Sequence, residues 1–333
     1  MGARRLRYAL LQAQWAAYAR YLAASKSPIL CGPWRSELGF EVLYWIPFLH
    51  AFRLAYGIKK ERLIAIGRGG SAIWYDMAGQ ADLYEHVPLE TARVWSVQAS
   101  QQTGSMKQNR REPWERHVCG LTAHSLGLTK YHALSPSWMY ALLAPFWEGK
   151  TSQRWLNERL AHAVTMPAPP IDASLHSKLP KDFIAMRWYA RPTWPYSEPL
   201  VLWMRTYTER IAKHHPVVLI DSFHADDHAD IHLGKLDNVI RLSELTTMTA
   251  LDNLAVQSSV IARARAYIGT YGGMAQGAMR WGVPTLALYE SFGQTAPEHL
   301  SLTQHLSLRT GVPFIACQPK DVDGALPMLM GRA

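Results

Sequence analysis

The sequence predicts an α/β protein of two lobes, each a parallel sheet flanked by helices, and three observations predict it. The chain has 333 residues, more than the about 100–200 that one domain usually holds. A buried strand, a glycine-bearing turn and a helix occur in succession near both ends, at Pro28–Gly57 and at Ala266–Gly282. Between them, Met166-Pro167-Ala168-Pro169-Pro170 opens a stretch running to Pro180 whose proline density suits neither a helix interior nor a central strand. The division expected is an N-terminal helix over 1–27, a first lobe over 28–165, an interlobe linker over 166–180 and a second lobe over 181–333.

Composition fits a globular chain: 48% of residues are hydrophobic and 18% charged, enough apolar material for sizeable cores. Three widely spaced cysteines, Cys31, Cys119 and Cys317, indicate neither a disulfide framework nor a thiolate metal site, so a reducing, cytoplasmic setting is expected. The formal charge of +9 calls for an acidic partner without choosing among a nucleotide diphosphate, an anionic glycan, nucleic acid or a membrane surface.

In chain order, Met1–Ser25 reads as a helix with Leu6, Leu10, Leu11, Trp15, Tyr18 and Leu22 near one side and no acidic residue. It is too short and polar to span a bilayer. Packing across the fold is the first reading and peripheral membrane contact through 1–25 the second. Pro28–Gly32 is the first strand, Pro33–Gly39 the loop at its carboxyl end, and Phe40–Tyr56 a helix kinked by Pro47 and stopped by Gly57. Arg62–Ile66 is the next strand and Gly67–Ser71 its turn, with Ser71 expected to cap the segment that contains Ile73, Trp74 and Tyr75. Gln101–Arg116 reads as a basic surface excursion with Lys107, Arg110, Arg111 and Arg116 around Trp114; it matches no RNA- or DNA-binding motif, and no nucleic-acid partner is expected. Ser137–Trp147 and Ser152–Val164 look helical. In the second lobe, Phe183–Met186, Val217–Ile220 and Asn238–Leu242 are strands, and Leu200–His214 is a crossover helix. The His/Asp-rich 224–232 loop fits no defined zinc or calcium spacing, so no metal is assigned.

Asn253–Glu290 carries the most functional information. It reads as helix, strand (Ala266–Gly269), glycine turn (Thr270-Tyr271-Gly272-Gly273), helix (Met274–Trp281) and strand (Thr285–Tyr289), ending at Glu290. Gly272 or Gly273 is expected either to have positive φ or to let a ligand approach the backbone, with the next helix's free N–H groups aimed at an anion. The alternative is that both glycines only make a tight strand-to-helix turn.

This order of strand, Gly-Gly turn, helix, Gly282-Val283-Pro284-Thr285, strand and acidic residue resembles the nucleotide-sugar-binding half of glycosyltransferases with two Rossmann-like lobes, the GT-B type. Heptosyltransferase-like and fucosyltransferase-like enzymes have a similar segment. The resemblance implies a cleft between the lobes, a nucleotide-sugar co-substrate with no other cofactor, a glycan or lipid-linked acceptor, and metal-independent transfer in polysaccharide biosynthesis. It places Thr270, Tyr271, Gly272, Gly273, Gln276 and Glu290 at the donor, together with strand-end Arg187 and, second, Arg191, although the His-x-Arg form of those enzymes is absent here. Pairing with a surface carboxylate is the other reading of Arg187.

On the acceptor side stand Trp34, Arg35, Glu41 and Arg68. Glu37, in the loop after the first strand, is the expected catalytic base, its alternative a helix cap; Asp221 would be the nucleophile were the reaction retaining. A sugar-nucleotide epimerase or hydrolase of the same fold, or a non-catalytic basic binding protein, are the rival readings.

Overall fold

Short apolar runs become parallel strands in both halves of the chain, because a run buried on both faces has no polar side to turn outward. The computed structural model describes residues 2–103, 108–160, 166–190, 194–223 and 229–330. They fall into two units, Met1–Ala163 and Val164–Ala333.

The first unit is a four-stranded parallel sheet in the order β3-β2-β1-β4, from Ile29–Cys31 (β1), Leu63–Gly67 (β2), Gly79–Asp82 (β3) and His132–Leu134 (β4). All three residues of β1 are fully buried. The N-terminal helix, Gly2–Ala24, packs on this unit: Leu22 and Ala19 are fully buried, Trp15 meets Phe48, Phe52 and Trp138, and the Tyr18 hydroxyl donates to the Ala133 carbonyl at 2.7 Å. Arg62 ties its end by donating to the Leu22 and Ser27 carbonyls. No helix among the described residues is long and apolar enough to cross a membrane.

Three expectations for this unit need correction. Phe40–Tyr56 is not one kinked helix: a short Leu38–Phe40 turn runs into a π-helical turn, Glu41–Trp45, and then the helix Ile46–Ala55. Pro47 sits in the first turn of that last helix, where its missing N–H interrupts nothing. The irregularity lies upstream, at Glu41. The Gln101–Arg116 stretch is not simply a surface excursion, because helices Leu89–Thr103 and Pro113–Ser125 enclose it and Gln108 and Glu115 are buried. Ser152–Val164 yields only a short helix, Gln153–Asn157, capped by Ser152; residues 161–165 lie outside the described ones.

The second unit has a six-stranded parallel sheet ordered β12-β11-β10-β5-β7-β9. Its strands are Ile184–Arg187 (β5), Val217–Leu219 (β7), Val239–Arg241 (β9), Ala266–Thr270 (β10), Thr285–Leu288 (β11) and Phe314–Cys317 (β12). A separate antiparallel pair, Tyr189–Ala190 (β6) with Ala229–Asp230 (β8), sits just beyond β5. The chain winds outward from β5 through β7 to β9, then returns to β10 on the other side of β5 and winds away, which is the doubly wound Rossmann order with its switch point between β5 and β10. Helices Glu198–Ala212 and Val322–Met330 cover a core containing Ile184, Met186, Ile268, Leu286 and Leu288.

Residues 166–180 are strapped to this unit rather than left loose. Met166 N–H donates to the Arg280 carbonyl at 2.7 Å, Arg263 donates to the Pro169 carbonyl, and Asp172 caps a short helix, Ala173–Lys178, that buries Leu175. Proline density excluded a long helix there but not docking.

Candidate functional site

The switch point of the second unit brings together what the sequence set far apart. Gly269 of β10 is the register partner of Arg187 of β5. Beyond them the two strand ends are stitched crosswise: Thr270 Oγ1 accepts from Tyr189 N–H and donates to the Tyr189 carbonyl, both at 3.2 Å, and the Tyr189 hydroxyl donates to the Tyr271 carbonyl at 3.3 Å. Thr270 is fully buried, and the Tyr271 ring lies edge-on to Tyr289 and Phe314. The chain then passes through Gly272 into the helix Gly273–Arg280.

Of the two expectations for this turn, positive φ is not the one the backbone adopts. Gly272 is extended, with φ 167° and ψ −165°, and Gly273 opens the helix outside the left-handed region. What the glycines supply is bareness: both are half-exposed, and neither puts a Cβ over the first N–H groups of the helix, which have no intrahelical acceptor. No acidic side chain stands in that first turn. Gln276, buried one turn on, donates to the Tyr271 hydroxyl at 3.4 Å. Glu290 is exposed, and its carbonyl accepts from Gln318 at 2.5 Å.

Arg187 is buried at this strand end. Its Nη1 donates to Gln257 Oε1 at 2.5 Å, its Nη2 stands 3.8 Å from Asp230 Oδ1, and its guanidinium lies 5.6 Å from the Tyr189 ring. Both partners are themselves held: Gln257 donates to Asn253 Oδ1 at 2.7 Å, and Asp230 Oδ2 accepts from Ser222 N–H at 2.8 Å. Beside this network Asp221, Asp230, His232 and Arg241 line a depression. Asp221 accepts from Ser243 with both carboxylate oxygens, from its N–H at 3.0 Å and from its hydroxyl, and so fastens the turn after β9. Arg191 lies outside the described residues, as does 224–228 of the His/Asp-rich loop.

In the first unit the loop after β1 separates the two candidate bases. Glu37 is exposed at the start of the Leu38–Phe40 turn, and its side chain makes no capping hydrogen bond. Glu41 is fully buried in the π-helical turn, where its Oε1 accepts from the Tyr75 hydroxyl at 2.7 Å and the Ser71 hydroxyl at 3.0 Å. Burial pushes its carboxyl up to about 7, against the pull of Arg68, Tyr75 and Ser71. It is a member of the fold's polar interior and touches no solvent, which corrects its placement on the acceptor side. Ser71 is likewise not a cap: its hydroxyl accepts from Arg68 N–H and donates to Glu41.

Trp34 is corrected for the same reason, being fully buried and stacked between Trp45 and Tyr140 at ring distances of 5.9 and 6.3 Å. The turn after β2 is shaped by Gly69 and Gly70, with φ of 59° and 78°, and by Asp82, which accepts from Gly70 N–H at 2.7 Å. Arg68 leaves this turn half-buried and donates to the Ser36 carbonyl at 2.9 Å.

Sequence reasoning missed Gln108. Its Oε1 accepts from the N–H groups of Arg35 and Ser36 at 2.9 and 3.2 Å, while its Nε2 donates to the Pro33 carbonyl at 3.0 Å and to Glu115 at 3.2 Å. One buried amide therefore fixes the loop that carries Glu37. Within a polar run, no local signal marks such a residue.

No family model matches the chain, and a search of curated proteins finds no match. Among solved structures the chain is similar to a glycosyl transferase family 9 protein from Veillonella parvula, at 10% identity over 93% of this chain and 98% of that one, with a TM-score of 0.49. It is also similar to the E. coli heptosyltransferase WaaC with ADP, at 12% identity over 91% and 99% of the two chains and a TM-score of 0.46. A third likeness is to S. aureus MnaA in a co-structure with UDP, at 13% identity over 91% and 88% and a TM-score of 0.40. The functional reading rests on the chain's own residues.

Proposed function

We propose that this protein is a glycosyltransferase whose second unit binds the diphosphate of a nucleotide-activated sugar and whose first unit receives the acceptor. The observation that carries the reading is the convergence at one switch point of a bare Gly272-Gly273 helix entry and the Arg187 guanidinium. In doubly wound sheets ligands bind outside the carboxyl ends of the strands at this point, and a helix N-terminus there favours a phosphate.

Arg187 makes a short bond to a neutral amide and has a carboxylate 3.8 Å away, and these contacts hold its guanidinium at the strand end. Its exchange of Gln257 for a phosphate oxygen would turn a neutral hydrogen bond into a charge-assisted one. Glu37, the exposed carboxylate of the β1 loop, takes the proton from the acceptor hydroxyl as that oxygen bonds to the anomeric carbon and the diphosphate departs with the bonding pair. Negative charge grows on the leaving oxygens, where the helix N–H groups and Arg187 stabilise it. A single displacement inverts the anomeric centre. The donor is a nucleotide-sugar, the acceptor a glycan or lipid-linked hydroxyl, and no metal is required by this scheme.

The test is a thermal-stability screen with UDP-, GDP-, CMP- and ADP-sugars, followed by turnover with and without acceptor. A ligand bound only to the folded chain at 100 times its Kd stabilises it by about 2.7 kcal/mol. Nucleoside diphosphate released only when acceptor is present supports transfer. Release without acceptor would favour an epimerase or hydrolase, and the absence of any stabilisation would favour a basic binding protein.

A further inference from the structure

The Arg35 side chain is buried, with 4% of its surface exposed, and its Nε and Nη1 have no hydrogen-bond partner among the described residues. Buried guanidinium groups are ordinarily paired, since removing the charge from water without compensation is costly. The groups facing Arg35 do not supply the pairing. Glu115 acts on it electrostatically, but its oxygens accept from Gln108 and from the Ser135 hydroxyl, and burial pushes its carboxyl up to about 7. Glu112 is ion-paired to Arg110 at 2.6 Å. Tyr140 shares its hydroxyl with Ser36 at 2.6 Å, and burial pushes its pKa up. Arg68, on the turn after β2, adds a second positive charge close enough to lower the pKa of Arg35, after the larger effect of burial. Trp114 offers only its ring face, 5.5 Å from the guanidinium.

The arrangement is held from outside rather than by its own contacts. Gln108 clamps the backbone of Arg35 and Ser36, and Arg68 donates to the Ser36 carbonyl, so the residue next to Arg35 anchors the second cation at the carboxyl ends of β1 and β2. Two like charges anchored on one loop, one of them desolvated and with two of its three nitrogens lacking an acceptor, suit a ligand that brings the missing oxygens.

We propose that Arg35 and Arg68 form an oxyanion-binding site in the first unit, which takes a phosphate or carboxylate group carried by the acceptor. That the anion belongs to the acceptor rests on the glycosyltransferase reading; that the site binds an anion does not. The acceptor class is then an acidic glycan or a phosphorylated lipid-linked glycan. Phosphate and carboxylate are recognised by the same guanidinium chemistry and are separated by the probes used.

The experiment uses the full chain carrying Gly273→Val, which disables the switch-point anion site, with arginine Nε–H resonances followed by NMR during titration with inorganic phosphate, glucuronate and, as a neutral control, glucose. The expected result is that phosphate or glucuronate moves the Arg35 resonance and glucose does not. Whichever anion moves it identifies the acceptor's group. Adding Arg68→Gln, a change at a half-buried position, should weaken that binding by about tenfold or more. Arg35→Gln should abolish it while leaving the ligand-free melting temperature unchanged or higher, because it removes an unpaired buried charge. An Arg35 resonance that neither anion moves overturns the proposal, and so does unaltered anion affinity in the Arg68 variant. Failure of the glycosyltransferase reading would show separately, as wild-type protein that no nucleotide-sugar stabilises.

Discussion

Gly269 of β10 lies opposite Arg187 of β5, and a Cβ built on Gly269 would stand 2.3 Å from the Arg187 carbonyl oxygen. The two strands that flank the switch point thus approach closely only because one of them carries no side chain there. Gly269→Ala forces the strand ends apart and should cost roughly 1–3 kcal/mol, as overpacking does in a tight core. Urea denaturation measures this, and nucleoside-diphosphate affinity should fall as well, since Arg187 and the Thr270 stitch both move. Wild-type stability in the variant would mean that the strands have slack.

Arg187→Ala removes the positive charge from the switch point and leaves Gln257 and Asp230 without that partner. Nucleoside-diphosphate binding should weaken by roughly 1.5–3 kcal/mol, the worth of a charge-assisted hydrogen bond. Calorimetry that returns unchanged affinity, in a variant shown to be folded, would remove Arg187 from the donor site.

Glu37→Gln keeps the shape of an exposed loop side chain and removes its basicity. Turnover should fall by roughly 10²–10⁴-fold with donor affinity retained. Because Glu37 makes no capping bond, the melting temperature should not show the fall of a few degrees that loss of a cap of about 1 kcal/mol would bring. Near-normal turnover would dismiss Glu37 as the base.

Glu41 makes a prediction about pH. Its carboxyl is raised from 4.5 to about 7 by burial, so the folded chain holds a proton that the unfolded chain has released across that interval. The stability this contributes is full below the unfolded pKa and is lost as pH rises through about 7. Glu115, raised to about 7, and Asp82, raised from 3.8 to about 6, act in the same sense. Urea midpoints taken between pH 5 and pH 8 should fall with rising pH, and Glu41→Gln, which stays neutral throughout, should flatten the fall. An unchanged slope in the variant would show that Glu41 titrates normally.

The readable parts of this chain were those set by local pattern. Apolar runs such as Ala266–Gly269 and Val217–Ile220 have only one comfortable place in an α/β fold, and glycines after them mark where the backbone must stay bare, so strands and the switch-point turn were legible. The use of those glycines was not: local pattern left positive φ and a bare backbone as alternatives, and Gly272 is extended. Contacts between distant segments were also beyond reach. Nothing in the neighbourhood of Gln108 says that it clamps Pro33–Ser36, and nothing local distinguishes Glu37 from Glu41, which lie one turn apart with one exposed and the other wholly buried. Trp34 stands in the loop expected on the acceptor side and is nevertheless a core residue, which only packing decides. Gly-Gly turns announce themselves in sequence; buried polar networks do not.

The most direct measurement is calorimetric titration of nucleoside diphosphates into wild-type protein and into Gly273→Val, with circular dichroism on both. The valine side chain would cover the N–H groups at the start of the Gly273–Arg280 helix while leaving the helix formed, so binding present in wild type should be lost in the variant with the spectrum unchanged. Full affinity in a folded Gly273→Val protein would contradict the claim that this helix entry holds the donor diphosphate.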